Sequence, residues 1–456
     1  MPDPHAELPG ALADVRVLEF AQALAVPSCG ALLADMGADV VKIEPPRGDT
    51  YRLQNRTKVP GEGRDFAICN RGKRSLCLDL GRPESTEVVD RLVAGADVVL
   101  VSLKSSDLER YRIDYERLGP LKPGLIYLEN TPYGREGPLG QEGGYDVVAM
   151  GLSGLSAVVA TPLGDTPRFV RPAFADTGTG LISALAVIAA LRHRDRTGEG
   201  QRVHTSLLHT ALGLAGNMVH RYEDLDGDHW DAFARKLEGL RASGAGFDAQ
   251  QAAYYEHFNV SPVGNVYFRH YRTRDGFLSV GCLTPRLNER FREATGLVDP
   301  RRAGDLAARS QEEAKALEDF RDEAETLFAA RDTEDWLARL HAAGVPAARL
   351  NFPNEIFDDP QARANGYVET LEHPRLGSYQ TVTPPLRMEA SPVRARGPSP
   401  ALGADTDAVL AEVGFSTAER QALRSQGVAG PAPRRGPSGS QSAAGAAATS
   451  GGSSSR

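Results

Sequence analysis

The chain has 456 residues, 41% of them hydrophobic, and a formal net charge of −8 at pH 7. That length can hold two or three domains with sizeable cores, and the acidic balance argues against an extended nucleic-acid surface. The four cysteines, Cys29, Cys69, Cys77 and Cys282, form no Cys-x-x-Cys pair, so neither a disulfide framework nor a cysteine metal site is expected.

No apolar run of about 18 residues stands out, so no membrane span is expected. The opening Met-Pro-Asp-Pro-His-Ala-Glu lacks the basic and then apolar pattern of an export signal, and the expected location is cytoplasmic. His204 and His209 are five apart, a spacing that fits no helical metal motif. In chain order, residues 15–20 read as a buried strand, 29–36 as a helix and 40–43 as a second strand. Short strands follow at 76–80, 98–103 and 125–129, with helical patterns at 84–94 and 118–121. This alternation predicts a doubly wound, Rossmann-like α/β layer around a parallel sheet. The first strand is not followed by Gly-x-Gly-x-x-Gly, and Gly178-Thr-Gly180 is too short to replace it. Nicotinamide chemistry is therefore not expected.

The segment Val170-Arg-Pro-Ala-Phe-Ala-Asp176-Thr-Gly-Thr-Gly180 brings one carboxylate to the start of an apolar helix predicted over 181–191. Free amides and the helix dipole stabilise an anion there by roughly 0.3–1 kcal/mol, which predicts an ionised, nucleophilic Asp176. The competing reading is a plain N-cap. Amides of 177–180 are candidates to stabilise an oxyanion, against a simple tight turn. A basic turn closes this helix at Gly198, and a short strand and a second helix over 206–224 follow.

Beyond 224 the chain becomes more polar. The predicted layout is a large domain over 1–224, a smaller α+β domain over 225–330, a return to the large domain over 331–426, and a tail over 427–456. An Asp275-Gly276 turn suits a hairpin over 265–280, 312–330 and 333–343 read as amphipathic helices, and 344–348 as the return. The tail, rich in Gly, Ser, Ala and Pro, cannot bury a core and is expected to be disordered.

Several blocks occur together in one order from about residue 10 to 415: Val15-Arg-Val-Leu-Glu-Phe20, Leu32 to Pro46 with Met36-Gly-Ala-Asp and Lys42-Ile-Glu-Pro-Pro46, Asn70-Arg-Gly-Lys-Arg-Ser75, Gly143-Gly-Tyr-Asp146, the Asp176 segment, and Leu402-Gly-Ala-Asp405. In this the chain resembles the class III CoA-transferase (CaiB/BaiF) family, which includes formyl-CoA and carnitine CoA-transferases and α-methylacyl-CoA racemases. The resemblance implies an interlocked homodimer, acyl-CoA and a carboxylic acid as substrates, and no tightly bound cofactor or metal. It implies Asp176 as the nucleophile, forming an anhydride with the acyl group and then an aspartyl-CoA thioester. It also implies a CoA groove formed by backbone at Ala23, Leu24 and Ala25, by Asn70, Arg71, Lys73 and Arg74 before the third strand, and by Arg110, with Tyr145 near the reacting group. Where many relatives carry Glu-Asn-Phe, this chain has Val101-Ser-Leu-Lys-Ser-Ser106, which leaves Lys104 as the cation there. Family racemases resemble Gly-His-Asp at the place of Gly144-Tyr145-Asp146. A phenol with pKa of about 10 is a poor base at neutral pH, so transfer is favoured over racemisation. A non-catalytic CoA-binding subunit is the third reading, and Asp176 argues against it.

Overall fold

In the computed structural model, residues 8–55, 57–258, 260, 265–300 and 311–431 are described. Their elements run β1 (Arg16–Phe20), α1 (Ala25–Asp35), β2 (Asp39–Glu44), α2 (Arg64–Cys69), β3 (Arg74–Cys77), α3 (Ser85–Ala94), β4 (Val98–Val101), α4 (Ser105–Arg110), α5 (Tyr115–Leu118) and β5 (Ile126–Thr131). Next come α6 (Asp146–Leu152), α7 (Leu155–Val159), the short ribbon β6 (Pro162–Leu163) and β7 (Thr166–Pro167), α8 (Phe174–Thr197), β8 (Gln201–Ser206), α9 (Leu207–Ala215), α10 (Glu223–Ala242) and α11 (Phe247–His257). The remainder is β9 (Phe268–Arg272), β10 (Phe277–Gly281), α12 (Pro285–Thr295), α13 (Gln311–Ala329), α14 (Thr333–Ala342), β11 (Ala347–Arg349), α15 (Pro360–Ala364), β12 (Val368–His373), β13 (Gly377–Val382), α16 (Thr406–Glu412) and α17 (Thr417–Ser425).

Six strands form one sheet in the order β3-β2-β1-β4-β5-β8, and β1 to β5 pair in parallel. The chain leaves β1 in one direction to make β2 and β3, then returns to place β4 on the other side of β1. In such a sheet the carboxyl ends of β1 and β4 are the topological switch point, where open α/β sheets bind ligands. The strands are continuous apolar runs because both faces are covered: Val17, Leu18, Val41, Val99 and Val101 are fully buried. Leu18, Leu76, Val99 and Tyr127 pack with Val88, Val89 and Leu92 of α3 and with Val409, Leu410 and Phe415 near α16. Each such side chain contributes roughly 1.5–3 kcal/mol by leaving water.

The described residues divide into two compact units, one of 11–129, 187–203 and 398–431 and the other of 8–10, 130–186 and 204–397. Composition had suggested boundaries at 224/225 and 330/331, whereas contacts divide the chain at 129/130 and 397/398, with 187–203 belonging to the first unit. The segment over 344–348 does not lead directly back to the large sheet. It enters β11, which pairs with β10 in a sheet of order β11-β10-β9. Behind that sheet Tyr271 stacks on Phe328 at 4.0 Å and Phe328 meets Trp336 at 4.5 Å, a core dense enough to complete the sheet locally. The hairpin across Asp275-Gly276 forms as expected, with Arg272 opposite Phe277.

The tail begins later than composition implied. Val428 and Ala429 are buried, Asp79 N–H donates to the Val428 carbonyl at 2.8 Å and Gly430 N–H to the Cys77 carbonyl at 3.0 Å. Residues 432–456 of the expected tail lie outside the described residues. Among the described residues, Phe174–Thr197 is long and apolar enough to cross a membrane, which corrects the absence of such a run inferred from sequence. Core helices share that property, and Ala184, Val187, Ala190 and Leu191 of this one are buried.

Candidate active site

Helix α8 starts at Phe174, well before the predicted 181, so Asp176 lies inside its first turn. It is not the N-cap. That function falls to Asp146, the first residue of α6, whose Oδ1 accepts the Asp176 backbone N–H at 3.1 Å. The loop before α6 fits only with glycine at 144: a Cβ there would lie 2.4 Å from the Tyr133 hydroxyl and 2.7 Å from Pro132 Cβ. Tyr145 is 73% exposed and caps α6 in extended conformation.

With Asp146 on the amides, the Asp176 carboxylate itself has no hydrogen-bond donor or cation within bonding distance among the described residues. Burial pushes its pKa up to about 7, and the nearby Asp146 charge pushes in the same direction. The expectation of a fully ionised Asp176 is therefore corrected: desolvation outweighs the helix dipole, and the group titrates near neutrality. Burial also raises Asp146, against the pull of the amides of Asp176 and Ala175.

The amides of 177–180 are helical rather than presented by a turn, and Thr177 N–H donates to the Ala173 carbonyl at 3.0 Å. They are thus committed to α8 and do not form an oxyanion hole. The glycine at 178 serves packing. A Cβ there would come 2.8 Å from Thr210 Cγ2 of α9, and Thr179 donates to Thr210 Oγ1 at 2.8 Å.

In the sheet unit the expected CoA-groove residues separate by environment. Ala23, Leu24 and Ala25 follow β1 at the switch point, and Leu24 is the N-cap of α1. Ala23 has φ of 66°, a left-handed conformation that costs a non-glycine residue roughly 1 kcal/mol or more. Lys104 caps α4 just past β4, at the same end of the sheet. It is exposed, and among the described residues it has no ion-pair partner.

The other cations are engaged within the unit. Arg71 makes a buried pair with Asp35 at 2.7 Å. Lys73 is fully buried, donating to Glu19 at 2.7 Å, the Pro27 carbonyl at 2.8 Å and Asn70 at 2.9 Å. Asn70 is buried beside it and donates to the Phe66 carbonyl. Arg74 is half-exposed and bridges Asp39 and Glu412, and Arg110 is exposed and paired with Asp107 at 2.9 Å. As placed, Arg71 and Lys73 point into the protein rather than toward a phosphate, because opposite charges compensate them inside.

Sequence reasoning missed the carboxylates that do this. Glu19, Lys42 and Glu44 stand in otherwise apolar strands, and a charge inside a buried run is the signal that flags a buried pair. Arg52 forms a two-pronged contact to Glu44 at 2.7 Å on each arm. Burial alone would raise Glu44, yet Arg52 and Lys42 hold it below the ordinary carboxylate range. No group of three or more His, Cys, Asp or Glu suited to a metal occurs among the described residues.

The structure thus combines a doubly wound α/β sheet, a strained loop at its switch point and a part-buried carboxylate with no cation in bonding distance among the described residues. The profile of CoA-transferase family III matches residues 12–406, and the chain belongs to that family of transferases. It is 34% identical over 421 residues to succinate–glutarate CoA-transferase of Agrobacterium fabrum, covering 90% of this chain and 97% of the relative. It is 31% identical over 420 residues to succinyl-CoA:mesaconate CoA-transferase of Haloarcula marismortui, covering 90% and 98%. The crystal structure of a CaiB/BaiF family protein from Brucella suis superposes with a TM-score of 0.68 at 29% identity, covering 89% of this chain and all of that one.

Proposed function

We propose that this protein moves CoA from succinyl-CoA or a similar acyl-CoA to a dicarboxylic acid, through covalent intermediates on Asp176. The names of the similar transferases, which act on succinate, glutarate and mesaconate, support the substrate class. The observation that carries the reading is the Asp176 carboxylate, part-buried and without a hydrogen-bond donor among the described residues.

The steps balance without a metal or a redox partner. An Asp176 oxygen attacks the thioester carbonyl, the C–S bond breaks and CoA leaves as thiolate. The thiolate attacks the Asp176 carbonyl of the anhydride, releasing the donor acid and leaving an aspartyl-CoA thioester. An acceptor carboxylate attacks that thioester and expels the thiolate, which then captures the acceptor acyl group and frees Asp176. A nucleophile with few hydrogen bonds loses little on attack, and a water-poor site protects each anhydride from hydrolysis.

In this reading Lys104 and the backbone of 23–25 receive the phosphate-bearing end of CoA, Tyr145 lies near the reacting acyl group, and the working unit is a cytoplasmic, interlocked homodimer. The test is exchange of labelled succinate into succinyl-CoA by purified protein, with trapping by hydroxylamine or borohydride. The label is expected on Asp176, and Asp176→Asn is expected to abolish exchange. Trapping on another side chain, or full exchange by the variant, refutes the assignment. A racemase would instead wash solvent deuterium into the α-position with no acceptor acid present.

A further inference from the structure

Beneath the loop that joins β1 to α1, two lysines, two carboxylates and an amide are shut away from water. Glu19, Lys42, Asp49 and Asn70 are fully buried, and so is the Lys73 side chain. Lys42 Nζ has three partners: it donates to Glu19 at 2.9 Å and to the Ala21 carbonyl at 2.8 Å, and it forms an ion pair with Asp49 at 2.9 Å. Lys73 Nζ likewise has three: Glu19 at 2.7 Å, the Pro27 carbonyl at 2.8 Å and Asn70 at 2.9 Å. An ammonium has three protons, so Lys73 is fully satisfied, whereas Lys42 meets Asp49 as an ion pair without a hydrogen bond. Glu19 joins them, one oxygen to each lysine.

Each lysine thus holds one end of the 21–27 loop, and Asp49 holds the middle by accepting the Ala23 N–H at 3.2 Å. Ala23 is the residue in the left-handed conformation, and such strain persists only where its surroundings enforce it. Gly30 completes the arrangement. Its missing side chain leaves room for Glu19, whose Oε2 would lie 2.0 Å from a Cβ at that position.

We propose that Glu19, Lys42, Lys73 and Asp49 are positioning residues, a buried charge clamp that holds the strained 21–27 loop at the switch point in the shape that receives the phosphate-bearing end of CoA. Burying four charges is costly and is seldom the most stable solution for a core. Here it gives fixed anchors for backbone carbonyls at both ends of one loop, which an apolar core could not. The inference rests on the proposed CoA-transferase reading, and it reassigns Lys73 from contacting CoA to shaping the loop that does.

The test compares the wild-type chain with the double variant Glu19→Gln/Lys73→Met, which removes one charge of each sign and keeps the buried charge balanced. CoA binding is measured by calorimetry, and KM for acyl-CoA and for the acceptor acid by initial rates. The expected result is CoA binding and acyl-CoA KM weakened by about tenfold, equivalent to roughly 1.4 kcal/mol, with kcat and acceptor KM within about twofold. General destabilisation would move all of these together, so the split separates the clamp from a merely structural role. Should the double variant fail to fold, Asp49→Asn, nearly identical in shape, is read in the same way. Unchanged CoA binding in a folded variant overturns the clamp alone. A wild-type chain that binds no CoA overturns the clamp and the CoA-transferase reading together, and the Asp176 trapping experiment tells those two failures apart.

Discussion

Replacing Asp176 by Asn is expected to make the protein more stable in alkaline solution while removing its activity. Asp176 is raised from an ordinary value of 3.8 to about 7 by burial and by Asp146. A raised carboxyl binds its proton more tightly in the folded than in the unfolded chain. Its stabilising contribution is therefore complete below pH 4, declines as pH rises, and is gone above about pH 7. Each pH unit of that interval is worth about 1.4 kcal/mol, so full burial sets a ceiling of roughly 4 kcal/mol. Asp176 retains some solvent contact, and screening reduces the figure to about 2 kcal/mol. Asparagine does not titrate, and any packing difference it introduces is the same at every pH. The stability gap between variant and wild type should thus widen in favour of the variant by about 1–2 kcal/mol between pH 5 and pH 8. Chemical denaturation at the two pH values measures it. A gap that does not change with pH, or that moves the other way, would refute the account of a desolvated, uncompensated carboxylate.

Because the attacking form is the anion, kcat/KM for transfer should rise with pH through about 7, the value to which Asp176 is pushed. Asp146→Asn keeps an acceptor for the Asp176 N–H but removes the charge, so its acid limb should move to lower pH; a pH profile flat from 5 to 9 in the wild type contradicts this. The two basic positions should behave oppositely. Arg71→Ala removes a buried ion-pair partner of Asp35 and is expected to cost about 3–5 kcal/mol of stability, read by thermal melting. Lys104→Ala should melt within about 0.5 kcal/mol of wild type and instead raise KM for acyl-CoA and weaken its salt dependence, and an exchange of these two phenotypes would reverse their assignment.

The alternation of short apolar strands with helices was legible in the sequence because covered parallel strands must be apolar throughout. Asp176 was legible because its sequence neighbours mark the start of an apolar helix. Its protonation was not, since desolvation and the Asp146 carboxylate, 30 residues away, arise only on folding. The start of α8 was misplaced for the same reason: Phe174 and Ala175 look like loop residues until Asp146 caps their helix. Glu19 and Lys42 were visible as charges in apolar strands, but pairing them requires the register of β1 and β2, in which Glu19 lies opposite Lys42. The resemblance puts Arg71 and Lys73 in a CoA groove, and local sequence carries no sign of Asp35 and Glu19, the buried carboxylates that turn them inward.

The two units solve opposite electrostatic problems, and the contrast is itself an argument for where the chemistry lies. In the sheet unit Glu44 is buried, yet Arg52 and Lys42 hold it below the ordinary carboxylate range, and Glu19 lies between two ammonium groups. Carboxylates held this way would make poor nucleophiles, because attack would require breaking every one of those contacts. Asp176 has the reverse environment: burial, one like-charged neighbour and no cation within bonding distance among the described residues. A chain able to surround Glu44 and Glu19 with lysine and arginine has not done so at Asp176. On the proposed mechanism, adding a cation there should lower its pKa and stabilise the fold while slowing attack on a thioester, the outcome expected if the missing partner is what keeps Asp176 reactive.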